Sequence, residues 1–179
     1  MMKLAIHVKL AINVLLFQAG WFACVLSAAQ GLPWIGSVVV GSAIVWHLTE
    51  SARPKRELVL IAAAALVGAL FETFLVQTGW LRFNSGNVLA GAAPYWMIAL
   101  WALFATTLNV SLRWLRSRPG IAVLFGAIGG PASYYAGARL GAIEFVHAGA
   151  AFTAIAFGWA LATPVLISFA QRLDGYTPS

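Results

Sequence analysis

With 179 residues the chain has the size of a single domain, yet 61% of it is hydrophobic, only 9% is charged, and the mean hydropathy is +0.87. Soluble domains carry about a quarter charged residues, so these values exclude a water-soluble globule and predict a membrane protein. Eleven Lys and Arg against five Asp and Glu leave a formal net charge of +6, which with so few acids reads as a topology signal rather than a nucleic-acid footprint.

Apolar runs of about 17–25 residues predict an all-α polytopic membrane protein, a single transmembrane domain over 1–179 with six spans at about 10–32, 33–50, 58–80, 94–115, 120–143 and 146–170. The first run, preceded by Lys3 and Lys9, imitates a cleavable signal peptide. It exceeds the usual apolar region of roughly 7–15 residues and holds Asn13 and Gln18, which suit a retained, packed helix. The connections are short: Gly31 to Pro33, the charged turn from Ser51 to Glu57, a Gly/Asn stretch over 81–93, Arg116 to Gly120, and a corner from Glu144 to His147. Any site is therefore built from helices and their ends.

Counting alternate sides, Lys3, Lys9, Arg53, Lys55, Arg56, Arg113, Arg116, Arg118 and Arg172 fall on the side of the N-terminus, and only Arg82 and Arg139 on the other. The positive-inside rule then places both termini in the cytoplasm. Three spans followed by three of opposite sense suggest an inverted repeat, a transporter design, but 10–80 and 94–170 share only scattered aromatic and small residues.

Polar side chains at membrane depth are costly and mark candidate sites. Glu72 lies eight residues before Trp80, about 12 Å below the outer interface. A carboxyl there is either a neutral hydrogen-bond donor or half of an ion pair, with Arg139 the first candidate partner and Arg82 the second. It is a structural pair or a proton-handling, substrate-binding group. Asn13, His47 and Asn109 fall at one depth near the inner face. The i,i+3 and i,i+4 spacings of His47/Glu50 and Asn109/Arg113 put each pair on one helix face. They form either an inner-leaflet pocket or plain interhelical hydrogen bonds. Gln18, Trp21, Trp101 and Trp159 lie nearer the centre, where amide and indole groups need partners, as packing contacts or as pocket lining.

The fifth span carries Gly126/Gly130 and Gly137/Gly141, two GxxxG spacings that allow close helix approach or dimerisation. Pro131 between them predicts a kink. A broken helix there would line a binding site with Tyr134 and Tyr135 beside it; a tightly packed structural helix is the alternative.

Several chemistries are missing from the sequence. Cys24 is the sole cysteine, so no internal disulfide or cysteine cluster forms. His47 and His147 sit near opposite faces, about 20 Å apart, which disfavours a bis-histidine haem. Asp174 is the sole aspartate, so Asp-rich magnesium sites are not available. HExxH, GxSxG and P-loop motifs are absent. No metal, cofactor or nucleic-acid partner is expected, and no catalytic residue is assigned.

Three stretches, 13–26 (NVLLFQAGWFACVL), 96–115 (WMIALWALFATTLNVSLRWL) and 129–142 (GGPASYYAGARLGA), with His47 and Glu72 between them, resemble an uncharacterised bacterial inner-membrane family of unknown function. The resemblance covers almost the whole chain. It implies no mechanism, but members tend to be encoded beside enzymes that modify fatty acyl chains. It therefore implies a protein that binds or presents membrane lipid in connection with acyl-chain modification or membrane stress. Its pocket would involve Gln18, His47, Asn109, Arg113 and the Gly-Pro-Tyr segment. The alternatives are a small solute or proton-coupled transporter using Glu72, and a scaffold that docks a soluble lipid-modifying enzyme on its basic loops. Homo-oligomerisation through the GxxxG faces is open.

Overall fold

The computed structural model describes the backbone of residues 2–176 and the side chains of 7–176; the side chain of Lys3, counted above, lies outside the described residues. The chain forms six α-helices: α1 (Met2–Ala29), α2 (Pro33–Glu50), α3 (Pro54–Gln77), α4 (Tyr95–Leu108), α5 (Pro119–Arg139) and α6 (Ala148–Arg172). A 3-10 turn covers Arg113–Ser117, and two short strands, β1 (Leu81–Phe83) and β2 (Ile143–Phe145), complete the described elements. Pro33, Pro54 and Pro119 open α2, α3 and α5, at the helical position where a missing N–H costs least.

Three antiparallel hairpins, α1/α2, α3/α4 and α5/α6, assemble around α4, which packs against α1, α2, α3 and α6. Its sequence, YWMIALWALFATTL, is apolar on all sides, and every residue from Leu100 to Leu108 is buried. A helix apolar all round belongs in the interior, so α4 is the central post.

Six helices are present, but four are long and apolar enough to cross a membrane: His7–Ala29, Pro54–Gln77, Pro119–Arg139 and Ala148–Arg172. The expected span 94–115 is shorter than predicted, because α4 ends after 14 residues at Leu108, short of the roughly 20 a spanning helix needs. Its end has local causes. Thr106 and Thr107 bond back to the carbonyls of Leu103 and Phe104, both at 2.7 Å. The amide of Asn109 is drawn sideways to Glu57 at 2.6 Å, and Leu112 N–H closes the turn on Thr107 O at 2.8 Å. Side chains that compete for backbone groups end helices.

One end of the bundle gathers the close of α1, α3 and α5 and the start of α2, α4 and α6. There β1 and β2 pair antiparallel in the register Leu81↔Phe145, Arg82↔Glu144, Phe83↔Ile143. Asn84 reaches the Gly141 carbonyl at 2.6 Å and Ser85 the Ala28 carbonyl at 2.7 Å. Gly86 turns the following loop at φ +86, where a Cβ would strike the indole of Trp96 at 2.6 Å. The Gly/Asn stretch and the Glu144 corner are thus one joined structure, and Arg82 faces Glu144 rather than Glu72. The opposite end holds the α2–α3 turn, the 3-10 turn and the last residues after α6. We call these the strand end and the basic end.

Candidate functional site

A cavity of about 430 Å³ lies between α1 and α5, with Trp96 to Thr107 of α4 and Trp159 of α6 as its floor. α1 and α5 make no extended contact with each other, and wall residues such as Val14, Gln18, Phe125 and Gly129 are also exposed on the outer surface. The cavity therefore opens sideways through the bundle wall. It extends along α4 from Trp96 to Thr107, a rise of roughly 17 Å, and reaches Ser111 and Leu112 at the basic end. Gly126, Gly129, Gly130 and Gly137 border it: at Gly129 a Cβ would meet nothing within 4 Å, whereas Gly126 and Gly130 face Trp159 and Gly137 faces Ile143.

One wall of the cavity is backed by a buried polar cluster. Glu72, fully buried on α3, accepts the indole N–H of Trp101 on Oε1 at 2.8 Å. The hydroxyl of Tyr134 donates to the same oxygen. Trp101 and Tyr134 also line the cavity. Gly68, one turn before Glu72, places the arrangement, since a Cβ there would collide with the Trp101 ring. The glycine lets that ring lie on α3 with its N–H level with the carboxyl. On the other side Trp101 stacks on Trp159 with ring centroids 4.4 Å apart, and Gly130 admits the Trp159 ring, which a Cβ would approach to 2.5 Å. The Trp159 N–H comes near the Tyr134 hydroxyl without completing a hydrogen bond, and Glu72 Oε2 has no partner among the described residues. Two donors on one oxygen offset much of the cost of burying the carboxyl.

A second polar network closes the basic end. Glu57, also fully buried, accepts His47 Nε2 on Oε2 at 2.9 Å, and Asn109 at 2.6 Å and the Gly175 N–H at 2.7 Å on Oε1. Arg116 bonds to Asn109 and, with Arg113, to Asp174 at 2.9 and 2.8 Å. The Tyr176 hydroxyl donates to the His47 carbonyl at 2.7 Å and lies 3.0 Å from its Nδ1. Burial, then the charges of Glu57 and Glu50, push the Tyr176 phenol above its ordinary value. The chain after α6 is thereby fastened to the ends of α2, α3 and α4.

The residues singled out from sequence divide between these places. Gln18, Trp21, Trp101 and Tyr134 share the cavity wall. Glu72 stands behind it and has no ion pair among the described residues; Arg139 is exposed at the end of α5, so the expected Glu72–Arg139 pair is replaced by indole and phenol donors. α5 runs unbroken from Pro119 to Arg139 with Pro131 inside it, so of the two alternatives the broken helix does not form. Asn13, His47, Asn109 and Arg113 collect at the basic end but engage protein partners. Asn13 donates to Thr106 O at 3.1 Å and accepts Ser111 Oγ at 2.7 Å, which leaves only a hollow of about 50 Å³ beside them. His47 pairs with Glu57 rather than Glu50, whose partner is Lys9 at 3.2 Å. Glu57, Gly175 and Tyr176 carry no site signal in the sequence, and Asp174 is notable there only as the sole aspartate. Glu57 closes a charged run and Asp174 follows the last helix, yet both are buried, Asp174 between two arginines. Gly68 had one signal, its i,i+4 spacing to Glu72.

No curated protein and no solved structure matches the chain. A family model described as protein of unknown function (DUF2878) matches residues 10–165, and the chain belongs to that family.

Proposed function

We propose that this integral membrane protein takes the apolar chain of a membrane lipid into the lateral cavity and holds it against α4. The cavity carries the reading. It opens through the wall of a bundle whose outer surface is apolar, and its volume of about 430 Å³ falls within the roughly 300–1,000 Å³ of small-molecule sites. Its lining is mostly aromatic and aliphatic. An entrance between two helices admits a chain from the bilayer without passage through water. The family resemblance supports a bacterial inner membrane, and the charge count supports a basic end on the cytoplasmic side. There it offers Arg53, Lys55 and Arg56 to a soluble lipid-modifying enzyme, in keeping with the resemblance to proteins encoded beside such enzymes.

Mass spectrometry of lipid retained by the protein purified in detergent tests this reading. Wild type is expected to carry lipid enriched over the bulk membrane, and Gly129→Leu, which fills open space at the mouth, to lose that enrichment. A bulk-like profile in wild type, or one that Gly129→Leu leaves unchanged, overturns it.

A second reading, a small carrier with Glu72 as its titrating group, is favoured by the unpartnered Oε2 of that carboxyl.

A further inference from the structure

Gln18 is the amide of the cavity wall, and like the indole N–H of Trp159 it has no hydrogen-bond partner among the described residues. It lies nine residues after Lys9 and eleven before the end of α1 at Ala29, hence roughly 14 and 17 Å from the two ends, at the middle of a hydrocarbon core about 30 Å thick. Its side chain lines the cavity and makes no hydrogen bond to any described residue. Across the cavity at the same level, by helix rise, is Gly129 of α5, where a Cβ would meet nothing within 4 Å. The other amide of α1, Asn13, is matched by Thr106 and Ser111. An amide has two donors and an acceptor with two lone pairs, and leaving them unpaired in hydrocarbon costs several kcal/mol per group. The hydrocarbon tails of ordinary phospholipids have nothing to offer it at that depth.

We propose that the cavity selects an apolar chain bearing an oxygen function near its middle, a hydroxyl or a carbonyl, and that Gln18 is the residue that reads it. The amide donates to the ligand oxygen and, where the ligand carries a hydroxyl, accepts its proton in return. Aliphatic and aromatic walls on either side hold the flanking methylenes. Selectivity then comes from one matched polar pair in a dry environment, where a wrong ligand leaves the amide unpaired.

This inference rests on the lipid-binding reading, and one experiment separates their failures. Protein in nanodiscs of phosphatidylglycerol and phosphatidylethanolamine is titrated with a stearate brominated along its chain, and quenching of its tryptophan fluorescence, to which Trp21, Trp101 and Trp159 at the cavity contribute, reports occupancy. Plain stearate and a stearate with a mid-chain hydroxyl then compete. The hydroxylated chain is expected to compete about five- to tenfold better in wild type, the worth of one net hydrogen bond. Gln18→Leu is expected to bind plain stearate undiminished and to lose the preference. Gln18 is exposed and unbonded, so that variant folds. Equal competition by both chains in wild type, as when water alone or a second copy of the protein satisfies the amide, overturns the inference and leaves lipid binding standing. A preference that survives in Gln18→Leu also overturns it. Quenching that neither competitor relieves and that Gly129→Leu does not reduce overturns lipid binding itself.

Discussion

The backbone N–H of Gly175 donates to Glu57 Oε1 at 2.7 Å, so the residues after α6 are tied to the first turn of α3. The same carboxylate holds His47 of α2 and Asn109 at the end of α4. One buried side chain thus joins three helix ends and the chain after α6.

Position 175 needs glycine, because a Cβ there would lie 2.6 Å from Glu57 Cγ and Ser51 Oγ. Gly175→Ala is expected to destabilise by about 1–3 kcal/mol through overpacking. Glu57→Leu is expected to cost about 3–5 kcal/mol, since His47 and Asn109 then face a buried site without their partner. Thermal unfolding in detergent micelles measures both, and melting temperatures equal to wild type contradict the account.

The glycines of α5 differ in what stands beside them. A Cβ at Gly126 would run into the Trp159 carbonyl and Thr163 Oγ, and one at Gly130 into the Trp159 ring, whereas Gly129 faces open space. Gly126→Ala and Gly130→Ala are expected to lower stability by about 1–3 kcal/mol. Gly129→Ala is expected to be neutral or to stabilise by a few tenths to about 1 kcal/mol, from helix propensity. Equal effects at all three positions contradict the packing described.

The same segment shows how far sequence reaches. The GxxxG spacing and Pro131 were plain in the string, and close approach does occur at Gly126 and Gly130. That approach belongs to the α5/α6 hairpin, because Trp159 supplies the ring that the glycines receive. Spacing on one helix announces a contact without naming its partner. Glu72 makes the same point: its depth was legible from Trp80, but its partners sit 29 and 62 residues away, and the nearest cations were the wrong choice. Pro54 and Pro119, placed in connections by the sequence, instead open α3 and α5. The paired strands escaped notice because three residues carry too little alternation to register. Asp174 and Glu57 escaped because a charged residue beside a helix end reads as solvated until another segment covers it.

Tyr176 adds a pH dependence to the basic end. An unfolded chain loses the phenolic proton near its ordinary value of about 10, whereas burial and the neighbouring carboxylates keep it on in the folded state. The contribution of Tyr176 is therefore intact below about pH 10 and declines as the pH rises beyond it. Melting temperatures taken from about pH 8 to about pH 11 are expected to fall more steeply for wild type than for Tyr176→Phe. Parallel curves contradict the assignment.

Glu72 separates the two functional readings. Glu72→Gln keeps a carbonyl oxygen for the Trp101 and Tyr134 donors and replaces the unpartnered Oε2 with an amide nitrogen, so a loss below about 1.5 kcal/mol is expected, typical of an isosteric exchange. Glu72→Leu strands both donors in the interior at about 1–3 kcal/mol each and is expected to unfold far more readily. If the carboxyl only organises the cavity wall, Glu72→Gln retains lipid and Glu72→Leu loses it together with stability. If the carboxyl carries a proton during transport, Glu72→Gln folds, retains lipid and abolishes proton-coupled flux in proteoliposomes, because an amide offers the same acceptor but no titratable proton. Flux measured beside lipid retention on that one variant distinguishes a wall from a carrier.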